Sequence, residues 1–443
     1  MNTGITEVEL RAFEEAFDSS AVNAVAMNAV VNNGLVNTAK SCELAQKKNY
    51  AFSLSLEQGA VTNQEKSGRC WLFAALNTMR FHMIQEQKLK NFELSQAYLF
   101  FYDKLEKSNY FLENILETLE EPVNGRLVSF LLQGPVGDGG QWDMFCNLVR
   151  KYGVVPKSAY PESAGSSSSR DVNVYLTEKL REDACILRRK YQAGASQEAL
   201  REEKKAMMAE VYRILCICMG KPPKAFDLEY RDKDKNFHRD TGLTPHSFYE
   251  KYIGWNLDDY VSLINAPTAD KPFGRSYTVR FLGNVKEGSA VRYLNLGIEE
   301  LKRAAIAQMK DGCPVWFGCD VGKHSDRSGV MDMDILQVGA LLSTEFTMTK
   351  AERLDYGQSL MTHAMVFQGV NLDENDRPNR WRVENSWGKE PGEDGYYVMS
   401  DAWFDQYVYQ IVVQKKYLTS EQLSAYAAEP IVLEPWDPMG SLA

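Results

Sequence analysis

At 443 residues, 44% of them hydrophobic, the chain is long enough for two or three domains around a substantial buried core. Ten net negative charges give no electrostatic footprint for nucleic acid or an anionic membrane, and no stretch approaches the roughly 18 apolar residues of a membrane span. Eight scattered cysteines (Cys42, Cys70, Cys146, Cys185, Cys216, Cys218, Cys313 and Cys319) form no regular framework, which fits reduced thiols. The start, "MNTGITEVELRAFEEAF", lacks a basic segment followed by an apolar run, so a cytoplasmic location is expected.

Thr6 to Asn33 is patterned as helix and opens with a capping box of Thr6 and Glu9. A second helix is predicted from Ser67 to about Lys88, and a third in "ELSQAYLFFYDKLEKSNYFLENILETL". The glycine-rich turn Gly134 to Gly140 then leads into an amphipathic helix running from Gln141 to Gly153. After the low-complexity "AGSSSSR", two charged helices joined at Gly194 and stopped at Gly220 and Pro222 make a hairpin, expected to be largely solvated.

"KAFDLEYRD" alternates as a strand, "KDKN" is a turn, and Thr244 caps a helix with Pro245 in its first position. The last third carries the β-branched and aromatic texture of strands in "PVWFGCDV", "HAMVFQGVNL", "RWRVENSW", "GYYVMS" and "QYVYQIVVQKKYL". Helices first and strands later predict an α+β fold. The end, "EPIVLEPWDPMGSLA", reads as a stiff extended strap, because Pro430, Pro435 and Pro438 each remove a backbone donor.

The sharpest local feature is "NQEKSGRCWLFAALNTMR", where Cys70 falls in the first turn of a helix apolar nearly all round. Helix N-terminal N–H groups favour a thiolate, and the Arg69 cation next to it is expected to add to this. A cysteine in such a place is also commonly a small buried hydrophobe. Of five histidines, His82, His238, His246 and His324 suit surface roles. His363 opens an apolar strand, and Asn385 closes the next strand after the turn "DENDRPNR". Pairing of the two strands brings an amide oxygen to the imidazole, where Trp387 would shield the bond. A core hairpin with a satisfied histidine is the plainer alternative.

Taken together, "NQEKSGRCWLFA", "THAMVFQGV" and "ENSWG" resemble the papain-like cysteine peptidases. That resemblance implies a helical half and a β-barrel-like half, with Cys70 as nucleophile, His363 as base and then acid, and Asn385 as its orienter. Gln64 becomes the oxyanion donor beside the Cys70 N–H. The glycines Gly139 and Gly140 of "GGQWDM" are expected to meet extended substrate backbone. Between Cys70 and His363 lie 293 positions of sequence separation, against about 130 to 150 in secreted members, so a large helical insertion is expected.

That spacing, Arg69 in place of the usual serine, the missing disulfide cysteines and the absence of a leader point to the intracellular bleomycin hydrolase and aminopeptidase C group. Its implied plan is an N-terminal extension packing on the core (1–60), a helical half (61–163), an inserted region for oligomer contacts (164–290), a β half (291–428) and a tail in the cleft (429–443). It also implies a homohexamer, peptide substrates with a free N-terminus, Ala443 as countercharge to the substrate amine, and no cofactor or metal. Cys216 and Cys218 face different ways on a helix, and Cys313, Cys319 and His324 lack a ligand cluster, so no metal site is expected. A Cys-His acyltransferase would take Asp376 as third member, and a scaffold protein would need no turnover.

Overall fold

Apolar residues alternate sides along each strand of the last third, and this alternation decides the layering. In the computed structural model, which describes residues 3–46, 48–56 and 59–442, Trp316, Ala364, Val366 and Val412 face one core. Their chain neighbours Phe317, Met365, Phe367 and Val413 face another. Helices Cys70–Glu86, Gln96–Glu117 and Trp142–Tyr152 close the first core, and Ile298–Lys310 and Asp401–Tyr407 close the second. The architecture is α+β, as the order of elements predicts.

The sheet runs in the order Ile431–Leu433, Arg275–Val279, Tyr293–Asn295, Tyr260–Ile264, Val408–Gln414, Val315–Cys319, His363–Leu372, Pro378–Glu384, Tyr396–Ser400, Val330–Met331 and Ser325–Asp326. The strand His363–Leu372 sits at its centre, antiparallel to both Val315–Cys319 and Pro378–Glu384, with His363 opposite Cys319 and Val366 opposite Glu384. The helix Cys70–Glu86 lies against this central strand and is buried without interruption from Cys70 to Phe81, matching its all-round apolar sequence.

Several expectations change. The 1–60 extension does not pack on the core as a whole: helices Glu7–Asp18 and Ala21–Asn33 bury no residue, and Val8, Phe13, Val22, Val25 and Val31 are exposed. Ala21–Asn33 lies chiefly against the short helices Leu35–Ala39 and Val338–Leu342 besides Glu7–Asp18, so these apolar side chains stay largely in solvent. Later parts of the segment do pack: Ala39 and Ser41 bond Gln337 and Ile335, and Leu54–Ser55 adds a short strand to His363–Leu372. The helices Arg170–Gln192 and Gln197–Met219, joined through Gly194 at φ 88, are less solvated than their charge suggested. Leu176, Leu180, Leu187, Val211 and Leu215 join the first core against Gln96–Glu117.

Further along the expected insertion, Phe237–Leu243 is a strand paired with Phe226–Arg231, although its mostly exposed "FHRDTGL" has little strand texture. From Tyr260 the chain is already in the large sheet, so the expected boundary at 290 falls within it. The C-terminal segment is extended only in part. Ile431–Leu433 runs parallel to Arg275–Val279, and Pro438–Gly440 then forms a 3-10 turn. There Asp437 accepts the Met439 N–H at 2.8 Å and Pro438 takes the first helical position, where its missing donor costs nothing.

Candidate active site

Arg69 caps the helix Cys70–Glu86 with non-helical torsions, so Cys70 is its first residue and its sulfur lies among free N–H groups. The N–H groups of Ala364, Trp71 and Cys70 itself approach the thiol. Burial pushes the thiol up to about 11; those donors oppose the rise and the Asp138 carboxylate adds to it. The expected help from Arg69 does not arrive. Its guanidinium is fully buried, bonds both oxygens of Glu162 at 3.0 Å, and lies over Phe73 and Phe100.

His363 begins the central strand and is 4% exposed. Its Nε2 is 2.9 Å from Asn385 Oδ1, and the Trp387 ring lies 4.8 Å away, tilted by 35°. An amide oxygen accepts, so Nε2 carries the proton and Nδ1 keeps its lone pair. Burial depresses the imidazole to about 4, with the Asn385 bond opposing. Since Ala364 touches the Cys70 sulfur, thiol and imidazole occupy one buried corner. Individually each is driven to its neutral form by burial.

Gln64 reaches this corner because residues 62–64 run antiparallel to 386–388: Gln64 N–H bonds Ser386 O at 2.8 Å, Gly388 N–H bonds Thr62 O at 3.1 Å, and Asn63 bridges Trp387. Ser386 Oγ donates to Gln64 Oε1 at 2.6 Å and Gln64 Nε2 donates to Ser67 O at 2.7 Å, leaving one amide hydrogen for a ligand. The Ser386 N–H also binds Asn385 Oδ1 at 2.8 Å. Ser386 thus orients two of the residues singled out from sequence. Its place inside "ENSWG" was the only signal.

Gly139 and Gly140 lie on the turn before the helix Trp142–Tyr152. Gly140 has a packing reason to be glycine: a Cβ there would sit 2.5 Å from the Trp71 indole. The Gly139 carbonyl accepts from Lys107 Nζ at 2.6 Å. Gln141 follows, and its Nε2 donates to the Ser441 carbonyl of the C-terminal segment at 2.7 Å. The segment is held further back by Lys271 to Asp437 at 2.9 Å and by Tyr293 OH to Met439 O at 3.2 Å. Ser441 is thereby tied to the residue after Gly140, which rests on Trp71, the neighbour of Cys70. Ala443 lies outside the described residues.

Sequence reasoning missed a buried ion pair behind the site. Arg80 Nη2, on the Cys70 helix, meets Glu384 Oε1 at 2.7 Å, and Gln368 Nε2 donates to Glu384 Oε2 at 2.7 Å. The pair ties that helix to the residue preceding Asn385. Asp376, the alternative third member, is exposed in its turn and lies 3.5 Å from Lys310. Among the described residues no group of three or more His, Cys, Asp or Glu side chains is arranged to hold a metal ion.

A model of the Peptidase C1-like family matches residues 4–440. The chain belongs to that family. Its relatives include an Aminopeptidase C of Streptococcus thermophilus, 54% identical over 408 residues, which cover 91% of this chain and 92% of the relative. A Bleomycin hydrolase of Mus musculus is 45% identical over 391 residues, 86% of each protein. The crystal structure of pepw from Lactobacillus rhamnosis HN001 is 53% identical and superposes with a TM-score of 0.98 over 100% of both chains. The family and this full-length likeness identify the α+β arrangement as the papain-like fold, with a cysteine peptidase chemistry.

Proposed function

We infer that the chain is a cysteine-type aminopeptidase that removes N-terminal residues from peptides, with Cys70 as nucleophile, His363 as base and acid, Asn385 as its orienter and Gln64 as oxyanion donor. The observation that carries the exopeptidase reading is the Gln141–Ser441 bond, which holds the chain's own C-terminal segment beside Gly140. The relatives named Aminopeptidase C support it.

The reaction follows from the corner. Proton transfer from the Cys70 thiol to His363 Nδ1 produces a thiolate beside an imidazolium held by Asn385. The sulfur attacks the carbonyl carbon of the first residue, forming a C–S bond, and the oxyanion is met by the Cys70 N–H and the free Gln64 amide hydrogen. His363 then gives its proton to the leaving amine as the C–N bond breaks. Water, deprotonated by His363, attacks the thioester and restores the thiol. The tail closes the cleft behind the first residue, with Ala443 as the proposed partner of the substrate ammonium. Gly139 and Trp387 border the bound peptide.

The exposed apolar helices near the N-terminus support assembly into a homohexamer, and eight unpaired cysteines support a reducing cytoplasm. Amides of the bleomycin type are further candidate substrates, on the strength of the Mus musculus relative. The test compares amino-free and N-acetylated peptides on the full chain and on one ending before Gly440. The full chain should cleave only free peptides, one residue at a time, and the shortened chain should also cut acetylated peptides internally. Equal restriction in both would overturn the role of the tail.

A further inference from the structure

Asp138 is the meeting point of four parts of the fold, and nothing in the chemistry above uses it. Its Oδ2 accepts the Gly68 N–H at 2.9 Å and the Ser169 hydroxyl at 2.5 Å. Its Oδ1 accepts from Lys104 Nζ at 2.6 Å and Asn173 Nδ2 at 2.7 Å, and its backbone carbonyl takes the Trp71 indole N–H at 2.8 Å. Gly68 and Trp71 flank Cys70. Lys104 is wholly buried on the helix Gln96–Glu117, while Ser169 and Asn173 lie at the start of Arg170–Gln192. The approach is close as well: a Cβ on Gly68 would lie 2.9 Å from the Asp138 Cβ.

We propose that Asp138 is a positioning residue for the peptidase reaction: it ties the Gly68 backbone and the Trp71 indole, on either side of Cys70, to Lys104 and to the inserted helix, fixing the direction of the thiol and of the Cys70 N–H. Two further contacts make the turn rigid, Lys104 Nζ to Val136 O at 2.8 Å and Lys107 Nζ to Gly137 O at 2.9 Å. The carboxylate stays ionised: burial opposes this, but Lys104 and the donors of Ser169 and Gly68 hold it far below the usual range. The inserted hairpin thereby acts on catalysis through two side chains at its root, besides any role in assembly. This inference rests on Cys70 being the nucleophile.

The charged groups around this corner are Lys104, Lys107 paired with Asp103, and Arg69 paired with Glu162, and the titratable neighbours on the site side are Cys70 and His363. Asp138→Asn keeps the shape and removes the charge. Expected are a fall in kcat of about a hundredfold on an aminoacyl arylamide with KM nearly unchanged. The pH profile for alkylation of Cys70, read by peptide mass, should also move to lower pH, because the charge opposing the thiolate is gone and Lys104 is left unpaired. Either change without the other, or neither, overturns the proposal. If that variant does not fold, Asn173→Ala, which removes one bond, should lower kcat by about tenfold, and wild-type kcat there overturns it. Alkylation needs no turnover, so this result is separable from failure of the nucleophile assignment, which retained activity in Cys70→Ser would reveal.

Discussion

Replacing Lys271 by methionine removes the buried ion pair that anchors the C-terminal segment at its turn. Lys271 and the Asp437 side chain are 3% and 10% exposed and stand 2.9 Å apart. At that separation the attraction is about 6 kcal/mol for an effective dielectric near 20, before desolvation is subtracted. Losing one partner of a buried pair costs about 3 to 5 kcal/mol, and the low end applies because Asp437 keeps the Met439 N–H and some solvent. About 3 kcal/mol raises the fraction of molecules with a detached tail end roughly a hundredfold. The assay is cleavage of an N-acetylated peptide by the full-length variant, with thermal unfolding as control. Cleavage should rise from background by up to that factor, while turnover of amino-free substrate persists. A folded Lys271→Met that leaves acetylated peptide as untouched as the parent does, when the shortened chain cuts it, would refute the anchoring argument.

Other outcomes are equally specific. Arg80→Met removes the cation from the buried Glu384 carboxylate, which keeps the Gln368 donor, and should cost about 3 kcal/mol in denaturant unfolding, with kcat falling because Glu384 precedes Asn385. Gly140→Ala drives a methyl against the Trp71 ring, whose nearest atom is 2.5 Å from the ideal Cβ, and should lose about 1 to 3 kcal/mol. Asn385→Ala removes the bond that opposes depression of the His363 pKa and frees the ring. The ionised pair should become rarer and kcat fall by about a hundredfold, measured on an arylamide. The folded pKa of Asp138 lies below its ordinary 3.8, so its stabilisation is complete above that value and disappears as pH falls through the folded pKa; acid unfolding of Asp138→Asn should therefore be less steep in pH.

Local rules made much of this molecule legible. Cys70 at a helix start, His363 opening a strand and Asn385 after the next strand follow from periodicity and one turn, and the structure brings all three to one corner with Gln64. The Thr6–Glu9 capping box is present as the spacing predicts. What was not legible depends on partners distant in sequence. Arg69 looked like a cation for the thiol, but Glu162, far along the chain, takes its charge. Asp138 read as part of a glycine turn, and only folding brings Gly68, Lys104, Ser169 and Asn173 to it. The strands Tyr260–Ile264 and Arg275–Val279 belong to the sheet through pairing with residues after 290, which no local pattern encodes. The family resemblance implied that the N-terminal extension packs on the core, yet Glu7–Asp18 and Ala21–Asn33 bury no residue.

The central claim is that Cys70 attacks substrates whose free amine is recognised beside it. An aminoacyl chloromethyl ketone carries that amine next to a thiol-reactive carbon, and its N-acetyl counterpart differs in the amine alone. Peptide mapping after inactivation should find one equivalent of the free-amine reagent on Cys70, loss of activity in proportion, and little labelling by the acetylated reagent. Label on another cysteine with activity lost, or equal reaction of both reagents at Cys70, would contradict the account.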